Sequence, residues 1–270
     1  MNFVSSIDGP GVSNEIAVAT QALVRGVSQS YAIYDKPGRP VSIELAVRQH
    51  AAYISALQKS GLEISFVEPD ESRPDCVFIE DTAVVWNQHA LITRMCPDRE
   101  GEQQAVQNIL QKTHEIRKLT GSATLEGGDV LHTADTTYVG LSSRTNKPGV
   151  RDLRNFMAIF GRRVISIPIE KCLHLKTCAT YLGDGQLMVA PSLIPTNAFD
   201  AEAMIETDPS EARAANCLRI GRHLLIPAGC PKTERRLQRF AETKNLEIIS
   251  LNISEFEKGD GSLTCLSIIW

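Results

Sequence analysis

Apolar positions along the chain follow two rhythms. Val47, Ala51, Ile54 and Leu57 lie four, three and three residues apart, and Val150, Leu153, Phe156, Met157 and Phe160 keep a similar spacing. Each stretch puts one apolar stripe on a 3.6-residue period and predicts a surface helix. Residues 102–119, with Val106, Ile109 and Leu110 on one side, and residues 233–243 follow the same rhythm less regularly, which makes at least four helices.

The second rhythm belongs to strands. Five segments share one layout: an acidic or small-residue lead-in, a short apolar run, a polar turn and a second apolar run. Phe78-Ile79-Glu80-Asp81 leads to Ala83-Val84-Val85 and then to Ala90-Leu91-Ile92-Thr93. Leu125-Glu126-Gly127-Gly128-Asp129 leads to Val130-Leu131 and then to Thr137-Tyr138-Val139-Gly140. Residues 173–177 lead to 186–189, and residues 215–220 pair with 223–226. The last run, residues 262–269, ends at the C-terminus and needs a partner strand from the N-terminal region.

The lead-ins recur every roughly 42–48 residues, a period in the range of arrays built from one supersecondary unit. Five hairpin-plus-helix modules around an axis is the α/β architecture this predicts; a mixed α/β domain with evenly spaced strands is the plainer alternative. A chain of 270 residues, 43% hydrophobic and 22% charged, has material for one large core, and residues 1–270 are read as a single domain. Residues 1–14, rich in Ser, Gly and Asn, are expected to be partly disordered.

Charge and cysteine usage narrow the function. A net charge of -4 lacks the basic footprint of a nucleic-acid binder. No apolar run approaches a membrane span and the N-terminus has no leader pattern, so a cytoplasmic protein with a small-molecule substrate is expected. The seven cysteines include no C-x-x-C pair, which fits neither a disulfide framework nor a zinc ribbon. Cys172, His174 and Cys178 lack a second ligand pair, so no metal site is expected. No nucleotide-binding or serine-hydrolase motif is present.

Polar residues in the lead-ins would converge on one cavity. They are Asp75, Glu80, Asp81, Glu126, Asp129, His174 and Cys265: a nucleophile, a base and carboxylates. Taken singly, Cys265 reads as a buried thiol and His174 as a core histidine. Together with Glu126 they form a nucleophile, base and orienter set. Glu80 and Asp81 are adjacent and on a strand would face opposite ways, but a bend at the strand start would aim both inward. Two buried carboxylates need a cation, and a guanidinium matches them bidentately, which points to an arginine-like substrate. Gly127-Gly128 permits close backbone approach or positive φ. Residues 255–260 read as a solvated turn.

These residues, read together, resemble the dimethylarginine dimethylaminohydrolases of the guanidino-group-modifying superfamily over nearly the whole chain. The carrying segments are Pro74-Asp75-Cys76-Val77-Phe78-Ile79-Glu80-Asp81, Leu125-Glu126-Gly127-Gly128-Asp129-Val130-Leu131, Gly140-Leu141-Ser142-Ser143-Arg144-Thr145-Asn146, His174-Leu175-Lys176-Thr177, Ala215-Asn216-Cys217 and Asp260-Gly261-Ser262-Leu263-Thr264-Cys265.

The resemblance implies a five-bladed α/β propeller of ββαβ modules and cofactor-free hydrolysis of Nω-methylated arginine to citrulline and a methylamine. It makes Cys265 the nucleophile, His174 the general acid and base, and Glu126 the carboxylate beside that histidine. Glu80 and Asp81 become the guanidinium-binding carboxylates, Asp75 and Phe78 line the pocket, and Arg144 meets the substrate α-carboxylate. Arg99 is assigned as a second carboxylate-binding arginine, with Arg94 as its competitor. Residues 28–35 match the position of an active-site lid, with Tyr31 or Ile33 making its contacts. A homodimer is left open. The competing functions are an arginine deiminase and a non-catalytic propeller scaffold.

Overall fold

The computed structural model of the chain describes residues 19–34, 40–200 and 203–270. The disorder expected for residues 1–14 and one end of the expected lid lie outside them. The described strands form five three-stranded sheets. β1 (Gln21–Arg25), helix α1 (Ile43–Lys59) and β2 (Glu63–Val67) come first in the chain. A second unit follows with β3 (Ala83–Trp86), β4 (His89–Ile92), α2 (Gln103–Leu110) and β5 (Glu115–Lys118). The third is β6 (Val130–His132), β7 (Thr136–Leu141), α3 (Lys147–Ala158) and β8 (Arg163–Pro168).

The helical turn α4 (Leu175–Cys178) opens the fourth unit, which continues through β9 (Ala179–Gly183), β10 (Gln186–Val189) and β11 (Ala203–Glu206). The last comprises β12 (Leu218–Ile220), β13 (His223–Pro227), α5 (Pro231–Lys244) and β14 (Glu247–Leu251). β15 (Ile268–Ile269) then pairs antiparallel with β1 through Ala22 and Leu23. The C-terminal strand thus finds its partner in the N-terminal region and closes the ring.

Every sheet has the same pairing: an antiparallel hairpin, then a third strand parallel to the middle one. In the closing sheet β15 takes the hairpin position ahead of β1, and β2 is the parallel strand. Parallel neighbours require a crossover, which the helices supply in four units. The helices start where the sequence offers caps. Ser42 accepts from the amide of Leu45 at 3.2 Å, and Asn146 from that of Gly149 at 2.8 Å. The stripe of α3 then buries Val150, Leu153, Phe156 and Met157 against Val84, Leu91, Val130 and Val139 of two neighbouring sheets. Apolar cores therefore lie between modules and lock each sheet to the next.

A cavity of about 670 Å³ marks the axis. Val84, Val130, Thr180, Leu218 and Ile268, one residue from the innermost strand of each sheet, line it. This is a five-module α/β propeller. Each inner strand is preceded by a tight turn, at Ile79–Thr82, Gly127–Asp129, Leu175–Cys178, Pro209–Ala215 and Thr264–Leu266. These turns are the lead-ins whose recurrence the sequence displayed.

Three readings need correction. Residues 102–119 are not one helix: α2 ends at Leu110, and Glu115–Lys118 pairs with β4, because a four-residue strand with one half-buried apolar side chain leaves no periodic signal of its own. Residues 255–260 are not a solvated turn. Phe256 is fully buried and Glu255 is buried as well, accepting from the Ser42 amide at 2.8 Å and from Lys258. Cys172 and Cys178 form a disulfide, while the other five cysteines are free. Among the described residues no helix is long and apolar enough to cross a membrane.

Candidate active site

The tight turn Ile79–Thr82 supplies the bend that lets neighbouring carboxylates share a side: Glu80 and Asp81 are both buried. Each is joined to a cation of the protein. Lys176 Nζ donates to Glu80 Oε1 at 2.5 Å, and Thr264 Oγ1 donates to Glu80 Oε2 at 2.9 Å. Arg99 Nη1 donates to Asp81 Oδ2 at 2.6 Å, and the Gly128 amide to Asp81 Oδ1 at 2.9 Å. Each carboxylate oxygen has two acceptor sites, so capacity remains for a further cation. Burial pushes Glu80 up, opposed by Lys176. Burial also acts on Asp81, but His174 and Arg99 outweigh it and hold Asp81 below the usual carboxylate range.

His174 precedes α4 and is buried. Its Nε2 donates to Glu126 Oε2 at 2.7 Å and lies 3.8 Å from Asp81 Oδ1. Burial opposes the charged ring, yet the Asp81 charge and the Glu126 hydrogen bond prevail and raise His174 to about 9. The imidazole is therefore a cation at neutral pH. Glu126 is fully buried; its Oε1 accepts from the Cys96 amide at 3.1 Å. Asp129 braces the same corner, accepting from the Leu175 amide at 3.0 Å and from the hydroxyls of Ser142 and Thr145.

A raised histidine pKa stabilises the fold through its proton. The contribution is complete below the unfolded value near 6.5 and disappears as pH rises through about 9. Compared with His174→Gln, which cannot titrate, the native chain should hold an excess of at most about 3 kcal/mol at acidic pH. That excess should vanish by alkaline pH in melting experiments, and a gap independent of pH would refute the assignment.

Gly127 and Gly128 serve close approach rather than positive φ, which neither adopts. A Cβ on Gly127 would sit 2.0 Å from the Glu80 carbonyl oxygen. One on Gly128 would meet His174 Nδ1 at 2.7 Å and Asp81 Oδ1 at 2.9 Å. Gly128→Ala is expected to displace both side chains and lower turnover about 100-fold; turnover within threefold of wild type would show that the approach has slack.

Cys265 sits on the turn Thr264–Leu266, not on a strand, and is half-buried. Burial, followed by the charges of Glu80 and Asp81, pushes its thiol well above the ordinary range. The thiol is therefore protonated at neutral pH. Phe78 packs edge-on against Tyr31 and Phe256, and Asp75 Oδ1 accepts from the Tyr34 hydroxyl. Tyr31 is buried and donates to the carbonyls of Glu255 and Phe256, whereas Ile33 is exposed. Residues 29–34 thus close over Asp75 and Phe78 as a strap.

The two arginine candidates after β4 are both occupied. Arg99 is buried and spends its donors on Asp81, on Glu102 at 2.7 Å and on the Phe78 carbonyl at 2.9 Å. Arg94 is exposed and donates to the carbonyls of Gly121 and Ala123. Arg144 is half-buried, contacts the Cys96 sulfur and lies 3.6 Å from Glu126. Lys176 and Thr264 belong to the motifs around His174 and Cys265, and only the fold shows that both hold Glu80. Ligand atoms of Asp81, Glu126 and His174 lie within 4.8 Å of one another, the grouping among the described residues that could hold a metal ion. An ion there would compete with the His174 proton.

A family model for eukaryotic N,N dimethylarginine dimethylhydrolase matches residues 30–212. The N(G),N(G)-dimethylarginine dimethylaminohydrolase of Pseudomonas aeruginosa is 32% identical over 251 residues, covering 92% of this chain and 95% of that protein. Its namesake from Streptomyces coelicolor is 38% identical over 232 residues, covering 83% and 85%. A solved structure of the Pseudomonas aeruginosa enzyme, a cysteine-to-serine variant complexed with citrulline, superposes with a TM-score of 0.85 at 29% identity, over 94% of this chain and 100% of that one.

Proposed function

The chain belongs to the dimethylarginine dimethylaminohydrolase family, and from that premise we propose that it hydrolyses Nω-methylated L-arginine to L-citrulline and a methylamine. It is a hydrolase of a substituted guanidinium. The observation that carries the reading is the convergence of Glu80, Asp81, Glu126 and His174 from three modules, with the Cys265 turn tied to Glu80 through Thr264.

In this reading the guanidinium lies in the plane of Glu80 and Asp81, with its central carbon beside Cys265. Burial and the two carboxylates hold the thiol up; the substrate charge offsets the carboxylates, so the proton leaves sulfur for solvent on substrate binding. The thiolate attacks the guanidinium carbon. His174 then gives its proton to the departing nitrogen, the carbon–nitrogen bond breaks, and a thiouronium remains on sulfur. The neutral imidazole takes a proton from water, which adds to the same carbon. Collapse releases citrulline and restores the thiol. Glu126 stabilises the imidazolium and fixes the ring.

Arg144 is the residue we assign to the α-carboxylate, with Asp75 and Phe78 lining the substrate arm. Arg99 is reassigned: with its donors taken by Asp81, Glu102 and the Phe78 carbonyl, it braces the guanidinium site instead of meeting substrate. Arg144→Ala is expected to raise KM by about ten- to a hundredfold with a smaller fall in kcat. The reverse split would remove it from carboxylate binding.

The direct test is citrulline release from asymmetric dimethylarginine, monomethylarginine and arginine. The reading expects the methylated substrates to give the higher kcat/KM; preference for arginine would favour a deiminase, and no turnover of any would favour a scaffold.

A further inference from the structure

Four of the five lead-in turns already have a use in the chemistry, and the remaining one, Pro209–Ala215, delivers Asn216 to the same end of the axis. Asn216 is buried and has its side-chain polar atoms engaged. Its Nδ2 donates to the Lys176 carbonyl and to Thr264 Oγ1, each at 3.0 Å. Its Oδ1 accepts from the Thr264 amide at 3.0 Å. Thr264 Oγ1 passes its own proton to Glu80 Oε2 at 2.9 Å, and Lys176 reaches the other oxygen of Glu80.

These contacts close a ring through Asn216, Thr264, Glu80 and Lys176. Because an N–H of Asn216 points at Thr264 Oγ1, the hydroxyl cannot donate back to it, and its proton goes to Glu80 Oε2. The amide also fixes both backbone and side chain of the residue just before Cys265. Resting on the functional reading above, we propose that Asn216 is a positioning residue. It sets the placement of the Cys265 sulfur and the orientation of the Glu80 carboxylate together, without touching substrate. The polarity requirement is strict. A carboxylate in its place has the same shape but no N–H to give, so the Thr264 hydroxyl would turn toward it and abandon Glu80.

The test uses the full chain with Asn216→Ala, Asn216→Asp, Thr264→Val and Thr264→Ser, and the double variant Asn216→Ala/Thr264→Val. Readouts are kcat and KM for asymmetric dimethylarginine, melting temperature, and the rate at which a cationic chloroacetamidine reagent alkylates Cys265. Asn216→Ala, Asn216→Asp and Thr264→Val should each lower kcat/KM about 100-fold and slow alkylation in parallel. Thr264→Ser, which keeps the hydroxyl, should stay within about threefold. The double variant should be little worse than either single one, because both break one ring.

Wild-type kcat and alkylation rates in Asn216→Asp would overturn the proposal, as would multiplicative losses in the double variant. If the Asn216 variants do not fold, the contrast between Thr264→Val and Thr264→Ser decides it by the same readouts. A wild-type chain that turns over no guanidino substrate would sink the functional reading alone, since the alkylation rates still test the placement of the sulfur.

Discussion

Cys265→Ala is expected to reduce turnover of dimethylarginine to background, a loss on the order of 10⁵ or more, while the chain still folds. The two halves of that expectation have separate causes. In the proposed mechanism no covalent intermediate forms without sulfur, and neither of the remaining groups, a cationic imidazole and a set of carboxylates, replaces a soft nucleophile at a guanidinium carbon. Folding survives because the thiol is half-buried at the edge of the cluster containing Val77, Phe78, Leu263 and Leu266, so removing one sulfur atom leaves little void. Circular dichroism and melting temperature should stay near wild type while activity disappears.

The same electrostatics predict selective labelling. Cys76, Cys217 and Cys230 are buried, and Cys96, the other half-buried thiol, lies against the Arg144 guanidinium. A cationic reagent is drawn to the Glu80 and Asp81 pair and should alkylate Cys265 first, whereas neutral iodoacetamide gains nothing from those charges. Substantial activity in Cys265→Ala would remove the proposed chemistry outright.

His174→Ala should separate the two chemical steps. A methylamine leaves as a poor group unless nitrogen is protonated, so loss of an acid that is charged at neutral pH should cost about 10²–10⁴ in turnover of dimethylarginine. A substrate whose leaving group needs no proton behaves differently. With S-methyl-L-thiocitrulline the variant should release close to one equivalent of methanethiol and then stall, because no base remains to activate water. The observable is a thiol burst without matching citrulline. Steady release of both products would show that His174 is not the base that activates water.

The amino-acid pattern made the inner part of the molecule legible and the outer part obscure, for a physical reason. Inner and middle strands such as Val130–His132 and Gln186–Val189 are largely buried and appear as apolar runs after polar turns. Outer strands such as Glu63–Val67 and Glu115–Lys118 contribute few buried side chains, so little in their sequence distinguishes them from loop or helix. Among the described residues, the unit containing β9 to β11 has a short turn at Thr196–Ala198 where the other units have a crossover helix, which no period of lead-ins could indicate.

At the site, residue type exposed the carboxylates, the imidazole and the thiol, because those groups are few and sit in repeating turns. It could not tell what each cation faces. The family resemblance assigns Arg99 to the substrate carboxylate, yet it folds inward onto Asp81 and Glu102. Lys176 lies two residues beyond His174 in a segment that carries the resemblance, and its contact with Glu80 is set by the fold.

The most direct measurement is acid quenching during steady turnover of dimethylarginine, followed by peptide mass mapping. The account predicts a transient mass gain equal to substrate less dimethylamine, carried by the peptide containing Cys265 and absent from every other cysteine. Full turnover with no adduct at any time, or an adduct borne by a different cysteine, would contradict it.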